Sequence, residues 1–119
     1  MAQIKPRISI KNVEKGVVIT FVSEKILEET EIVALEHSIV PIIEQAEIPN
    51  IVLNFENVKF LSSAMLGLLI RMSKKIYQRE GQLKLCSINS KIFEIFKITR
   101  LDRVFDVYDD TDAAVQSIA

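Results

Sequence analysis

Asn54-Phe55-Glu56-Asn57-Val58-Lys59-Phe60-Leu61-Ser62-Ser63-Ala64-Met65-Leu66-Gly67-Leu68-Leu69-Ile70, running on to a basic end at Arg79, reads as a strand end, a tight loop and a helix that begins at two serines. Helix N-termini carry unsatisfied backbone N–H groups and about half a positive charge, so a serine there can cap the helix or, once phosphorylated, hold its phosphate well. Met65, Leu66, Leu68, Leu69, Ile70, Met72 and Ile76 leave almost no polar face in the first two turns. Arg71, Lys74, Lys75, Gln78 and Arg79 crowd the last two, so this helix starts deep and ends in water.

Upstream, Ile51-Val52-Leu53-Asn54-Phe55 is a short apolar run bounded by turn residues, as expected of a central strand covered on both faces. Before it, Ile32, Val33, Leu35, Ile39, Val40, Ile42 and Ile43 recur at intervals of three and four, which predicts an amphipathic helix with Thr30 as N-cap and Glu31 in its first turn. Pro41 lies inside that pattern and should kink the helix or remove a hydrogen bond. Ser23 to Glu29 reads as a loop. Arg7 to Asn12 and Val17 to Val22, joined by Glu14-Lys15-Gly16, read as a hairpin at one end of the sheet.

Downstream, Gly81 ends the serine-led helix and Gln82 to Ser87 supplies another strand. Asn89 caps a helix striped by Ile92, Phe93 and Phe96. Ile98 to Arg103 connects to a last strand, Val104 to Tyr108, and Asp109-Asp110 opens a final helix carrying Ala113, Ala114, Val115 and Ile118. Strands alternating with helices after an initial hairpin imply an α/β fold: a mixed, mainly parallel sheet of about five strands with an antiparallel edge and about four helices.

Composition agrees with a globular chain. At 119 residues it suits one domain, 49% of residues are hydrophobic and 26% charged, and no linker divides it. The net charge of −1 gives no basic excess for nucleic acid. One cysteine, Cys86, excludes an internal disulfide and fits a reduced compartment. Met1 to Arg7 lacks the apolar run of a signal peptide, and no stretch reaches the roughly 18 apolar residues of a spanning helix. A cytoplasmic protein with no membrane insertion is the expectation.

The chemistry-bearing residues are few. His37 is the single histidine and falls on a helix beside Glu36 and Ser38, so no nucleophilic triad or zinc set can be assembled. Three glycines argue against a phosphate-cradling loop. Asp106, Asp109, Asp110 and Asp112 read more readily as a solvated helix start than as a cation site, and Cys86 as a buried space-filler. No metal and no cofactor is expected. Ser62 and Ser63 remain: simple caps, or a polar pair set in an apolar surface at the C-terminal end of a strand, where open α/β sheets place their sites.

Ile51 to Phe55, Val58 to Gly67 and Gly81 to Cys86 together resemble the STAS domain, the sulfate transporter and anti-sigma factor antagonist fold, and within it the short bacterial anti-anti-sigma factors. The likeness runs from Arg7 to Ile118 and implies a single STAS domain over residues 1–119, with its core at about 7–118. Such proteins read Asp-Ser-Ser/Thr-Gly-Leu-Gly at the helix start. Laid on this chain, Ser62 takes the Asp position, Ser63 the phosphoacceptor, Ala64 the next small residue and Met65 the Gly, while Leu66 and Gly67 match.

The resemblance implies a non-enzymatic regulator of transcription working by partner switching. Unphosphorylated, it binds an anti-sigma factor that is itself a serine kinase; phosphorylation at Ser63 releases it, and a PP2C-type phosphatase resets it. Phe60, Leu61, Ser62, Ser63, Ala64, Met65, Leu66 and Leu68 would form the partner surface. Two alternatives stand beside this: a constitutive STAS scaffold or adaptor subunit of a sensory or transport complex, favoured by the altered Ser62 and Met65, and a small-molecule or nucleotide binder, or an enzyme, using the helix N-terminus as an anion site.

Overall fold

The computed structural model describes residues 7–119; the reading of Met1 to Pro6 lies outside them. Strands β1 (Ile8–Val13) and β2 (Gly16–Phe21) form the antiparallel hairpin, and β2 continues into a parallel run with β4 (Asn50–Asn54), β6 (Gln82–Cys86) and β7 (Asp106–Tyr108). Helices α1 (Glu29–Gln45), α2 (Ser63–Gln78) and α3 (Ser90–Ile98) are the crossovers between successive parallel strands, and α4 (Thr111–Gln116) closes the described chain.

Because the parallel strands follow one another across the sheet in chain order, right-handed crossovers put their helices on one face. The period-2 alternation of the strands sorts the core accordingly. Ile19, Ile51, Leu53, Leu83 and Leu85 face α1, α2 and α3 in the large core, whereas Val18, Val52 and Cys86 face Ala114 and Ile118 in a small second one. The mostly apolar run at Ile51 to Leu53 is therefore buried on both sides, as a central strand requires.

The structure corrects several local readings, while the proline reading stands as a lost hydrogen bond. Helix α1 starts at Glu29, with Glu28 in the N-cap position and no side-chain cap, so Thr30 lies inside the helix. The Ile32 amide returns to the Glu28 carbonyl at 3.1 Å, and Glu31 is engaged by the Ser23 hydroxyl and by Arg7 at 3.2 Å. Pro41 sits within an unbroken α1, on its exposed side, where its missing N–H removes one bond without ending the helix.

The segment read as a loop from Ser23 to Glu29 contains a two-residue strand, β3 (Lys25–Ile26), and the loop before Ser62 contains another, β5 (Phe60–Leu61); the two pair in parallel as a separate small sheet. Two residues are too few to show a period, which hid both. At the end of α2 the left-handed position is held by Glu80 (φ 63°), not by Gly81. The Glu80 amide donates to the Tyr77 carbonyl and that of Gly81 to Ile76, a Schellman closure. Gly81 is required for a different reason, since a Cβ there would overlap the Pro49 carbonyl. The last strand begins at Asp106, because Leu101 to Arg103 form a 3₁₀ turn that carries Val104 and Phe105 out of it.

Candidate functional site

The chain leaves the central strand at Asn54, whose buried side chain shapes the exit. Its Oδ1 accepts from the Glu56 amide at 3.1 Å, and its Nδ2 donates to Thr20 Oγ1 at 3.3 Å and to Glu56 Oε1 at 3.1 Å. Asparagine is suited to this turn because its short amide can bond backbone two residues on. Phe55 then anchors the loop in the core, its ring 4.9 Å from that of Phe21. Asn57 Nδ2 donates to the Phe21 carbonyl at 3.0 Å.

The next residues are held from two sides. The amides of Lys59 and Phe60 donate to the Glu24 carbonyl, and that of Ser62 donates to Ile26. From the opposite side, Asn89 Nδ2 donates to the Val58 carbonyl at 3.1 Å and more weakly to Lys59 at 3.4 Å, while its Oδ1 caps α3 through the Ile92 amide at 2.9 Å. One asparagine thus joins the start of α3 to the loop that delivers the serines. Asn89 is legible in the sequence as a cap, but its second attachment has no sequence signal because the partner carbonyl lies about thirty residues away.

Helix α2 opens with Ser62 as N-cap in extended geometry, and the Met65 amide returns to the Ser62 carbonyl at 3.0 Å. The Ser62 side chain makes no capping bond, and its buried Oγ has no hydrogen-bond partner among the described residues. Ser63 and Ala64, the first two helical residues, are exposed. The eight residues expected to form the partner surface divide. Phe60, Ser63 and Ala64 reach solvent and Ser62 does so in part, whereas Leu61, Met65, Leu66 and Leu68 belong to the core. Their spacing explains it: Leu61, Met65 and Leu68 lie three or four residues apart on the inward stripe of the helix and its lead-in. Only the outward part of the segment, Ser63 and Ala64 with Phe60, is open to the surface.

Beside Phe60 the surface is concave. A groove of about 340 Å³ runs between the β3/β5 pair and α3, floored by Leu61 and Ile92. It was not foreseen, since the short strands that make one wall were not.

The other weighed residues serve the framework. Cys86 is buried, and desolvation pushes its thiol above the usual range, opposed by Thr111 Oγ1 at 3.6 Å. That favours the inert thiol. Asp110 Oδ1 accepts from the Ala113 amide at 2.8 Å to cap α4, and Asp106 accepts from Lys84 Nζ at 3.1 Å. His37 is exposed on α1 beside Pro41 and Lys75. Among the described residues no group of three or more His, Cys, Asp or Glu could hold a metal ion, and no helix is long and apolar enough to cross a membrane.

The family model described as the STAS domain matches residues 9–114. An anti-sigma F factor antagonist of Paenibacillus polymyxa is 26% identical over 68 residues, 57% of this chain and 58% of that relative, so the match spans little more than half of its length. An anti-sigma-factor antagonist (STAS) domain protein from Planctomyces limnophilus superposes with a TM-score of 0.85 at 25% identity, covering 92% of this chain and 96% of that one. The phosphorylated form of the Bacillus cell fate determinant SpoIIAA shares the fold, with a TM-score of 0.72 at 20% identity over 92% of this chain and 96% of that one.

Proposed function

The chain belongs to the STAS domain family, and on that premise we propose that it is an anti-sigma factor antagonist that works by partner switching. In this reading the unphosphorylated protein binds an anti-sigma factor with serine kinase activity, phosphate on Ser63 breaks the complex, and a PP2C-type phosphatase restores it. The protein acts by binding and performs no chemistry of its own. The observation that carries the reading is the exposure of Ser63 as the first residue of α2, directly after a lead-in fixed by Asn89, Glu24 and Ile26. Support comes also from relatives named anti-sigma factor antagonists.

The position suits a switch physically. A phosphate adds about −1.5 to −2 charges, and at a helix N-terminus the macrodipole accommodates them. The fold is therefore kept while the surface next to Phe60 changes sign, which costs the partner its fit through desolvation or like-charge repulsion. The test is incubation with the cognate kinase and ATP followed by mass spectrometry. One phosphate is expected on Ser63 and none on a Ser63→Ala protein; equal phosphorylation of the variant would sink the assignment. Ser63→Glu should weaken partner binding while leaving the unfolding midpoint unchanged or slightly higher.

A second reading keeps the fold and drops the switch, making the protein a constitutive adaptor. Ser62 favours it, because the serine stands where the resemblance places a carboxylate and its buried hydroxyl has no partner among the described residues. A complex that survives both kinase treatment and Ser63→Glu would select this reading over the first.

A further inference from the structure

Three apolar side chains are exposed around one groove: Leu27 and Phe60 at 48% exposure each and Ile95 at 37%. Lys25, Lys59 and Lys91 complete the lining, which contains no carboxylate. Among the described residues neither Lys25 nor Lys91 has an ion-pair partner. Lys59 lies 3.5 Å from Glu24, an exposed pair of little strength. Lys25 stands over the Phe60 ring at 5.9 Å. A second depression of about 280 Å³ shares Lys59, Phe60 and Lys91, so the concavity continues past Phe60 toward the start of α3.

Apolar side chains held in a concave, cation-rimmed strip match a ligand that offers apolar anchors flanked by negative charge. A second copy of this chain does not, because a two-fold contact would set the lysine rim against itself. A membrane surface would meet a protruding apolar face, whereas here the exposed side chains border a hollow floored by buried Leu61 and Ile92.

We propose that this groove docks an acidic, amphipathic segment of a protein partner, with apolar residues one helical turn apart seated beside Phe60 and carboxylates on Lys59 and Lys91. The inference rests on the reading of this edge of the molecule as its partner face. It adds the chemistry of what binds there, and it places the contact on α3 and the β3/β5 pair as well as on the start of α2. Phosphate on Ser63, one element away, would act on the same bound segment through its charge.

The test is selection of a phage-displayed library of random 16-residue peptides on the unphosphorylated full chain. Enriched peptides are then titrated by fluorescence anisotropy and mapped by amide NMR shifts. Enriched sequences should carry Asp or Glu around apolar residues spaced three or four apart, with shifts centred on residues 59–61 and 91–95. A Lys59→Glu, Lys91→Glu double variant should bind them at least about tenfold more weakly, and added salt should weaken binding to the original chain. No enrichment over a Phe60→Asp chain, sequences without an acidic excess, shifts elsewhere, or undiminished binding to the double variant would each overturn the proposal. So would a dimer in sedimentation, or binding to phosphatidylglycerol vesicles, that Phe60→Asp abolishes. Failure of Ser63 to accept phosphate while acidic peptides still fill the groove would remove the switch and leave this inference standing; the converse pair of results would do the reverse.

Discussion

Ser62 and Asn89 occupy the same position at the starts of two helices and do different work. A capping serine or asparagine contributes about 0.5–2 kcal/mol through the bond its side chain accepts from the first turn. Asn89 makes that bond, whereas the buried Ser62 hydroxyl finds no partner among the described residues. Substituting Ser62→Ala therefore removes an unsatisfied polar group and no cap, and the expected change in unfolding free energy is a gain of up to about 1–3 kcal/mol. Urea denaturation checks it, and a loss above about 1 kcal/mol would mean that the hydroxyl has a partner. Ser62 and Ser63 are thus indistinguishable by sequence as caps and distinct by environment, one turned inward and one exposed. Composition and spacing could not separate them, because both are serines at a helix start.

Among the elements, the two short strands and α3 form the wall beside the serines, so the proposed contact depends on them. Asn89 is the tie between them, capping α3 while donating to the Val58 and Lys59 carbonyls. Asn89→Ala removes both attachments, and a stability loss of about 1–2 kcal/mol is expected from the cap and the loop bond together. It should also raise amide hydrogen exchange at residues 58–61 more than in α1. Equal exchange in both regions would show that the tie does not order the site. The long helices were legible because an apolar residue every third or fourth position is a repeated signal, as at Ile32, Leu35, Ile39 and Ile43. Strands β3 and β5 were not, because each has two residues and is specified by its pairing with the other rather than by any pattern of its own.

At the scale of the whole molecule, the sheet is stitched at its far edge by Lys84 on β6, whose Nζ lies 3.1 Å from Asp106 on β7 and 5.8 Å from the Tyr108 ring. Burial alone would lower the pKa of Lys84, but the hydrogen bond and charge of Asp106, with Tyr108, outweigh it and raise the pKa above 10.5. The folded state therefore holds this proton more tightly than the unfolded chain. That contribution is complete below pH 10.5 and is lost as pH rises through the raised folded value. Relative to a Lys84→Met protein, the original chain should lose stability more steeply with pH above that point. Parallel slopes in denaturant titrations across the range would refute the assignment.

Local chemistry was enough to determine the order of the principal elements, the parallel sheet with its antiparallel edge, and a helix opening at Ser62-Ser63. Each of these depends on periodicity and turn residues that lie within a few positions of one another. Tertiary structure alone decided which members of the Phe60 to Leu68 segment a partner can reach, for exposure depends on what the sheet and the neighbouring helices cover. It also decided that Glu80 rather than Gly81 takes the left-handed turn, and that Gly81 lies against the Pro49 carbonyl. The groove belongs to the same class. Lys25, Phe60 and Ile95 come from three separate parts of the chain, and only the packing of the small sheet against α3 brings them to one surface.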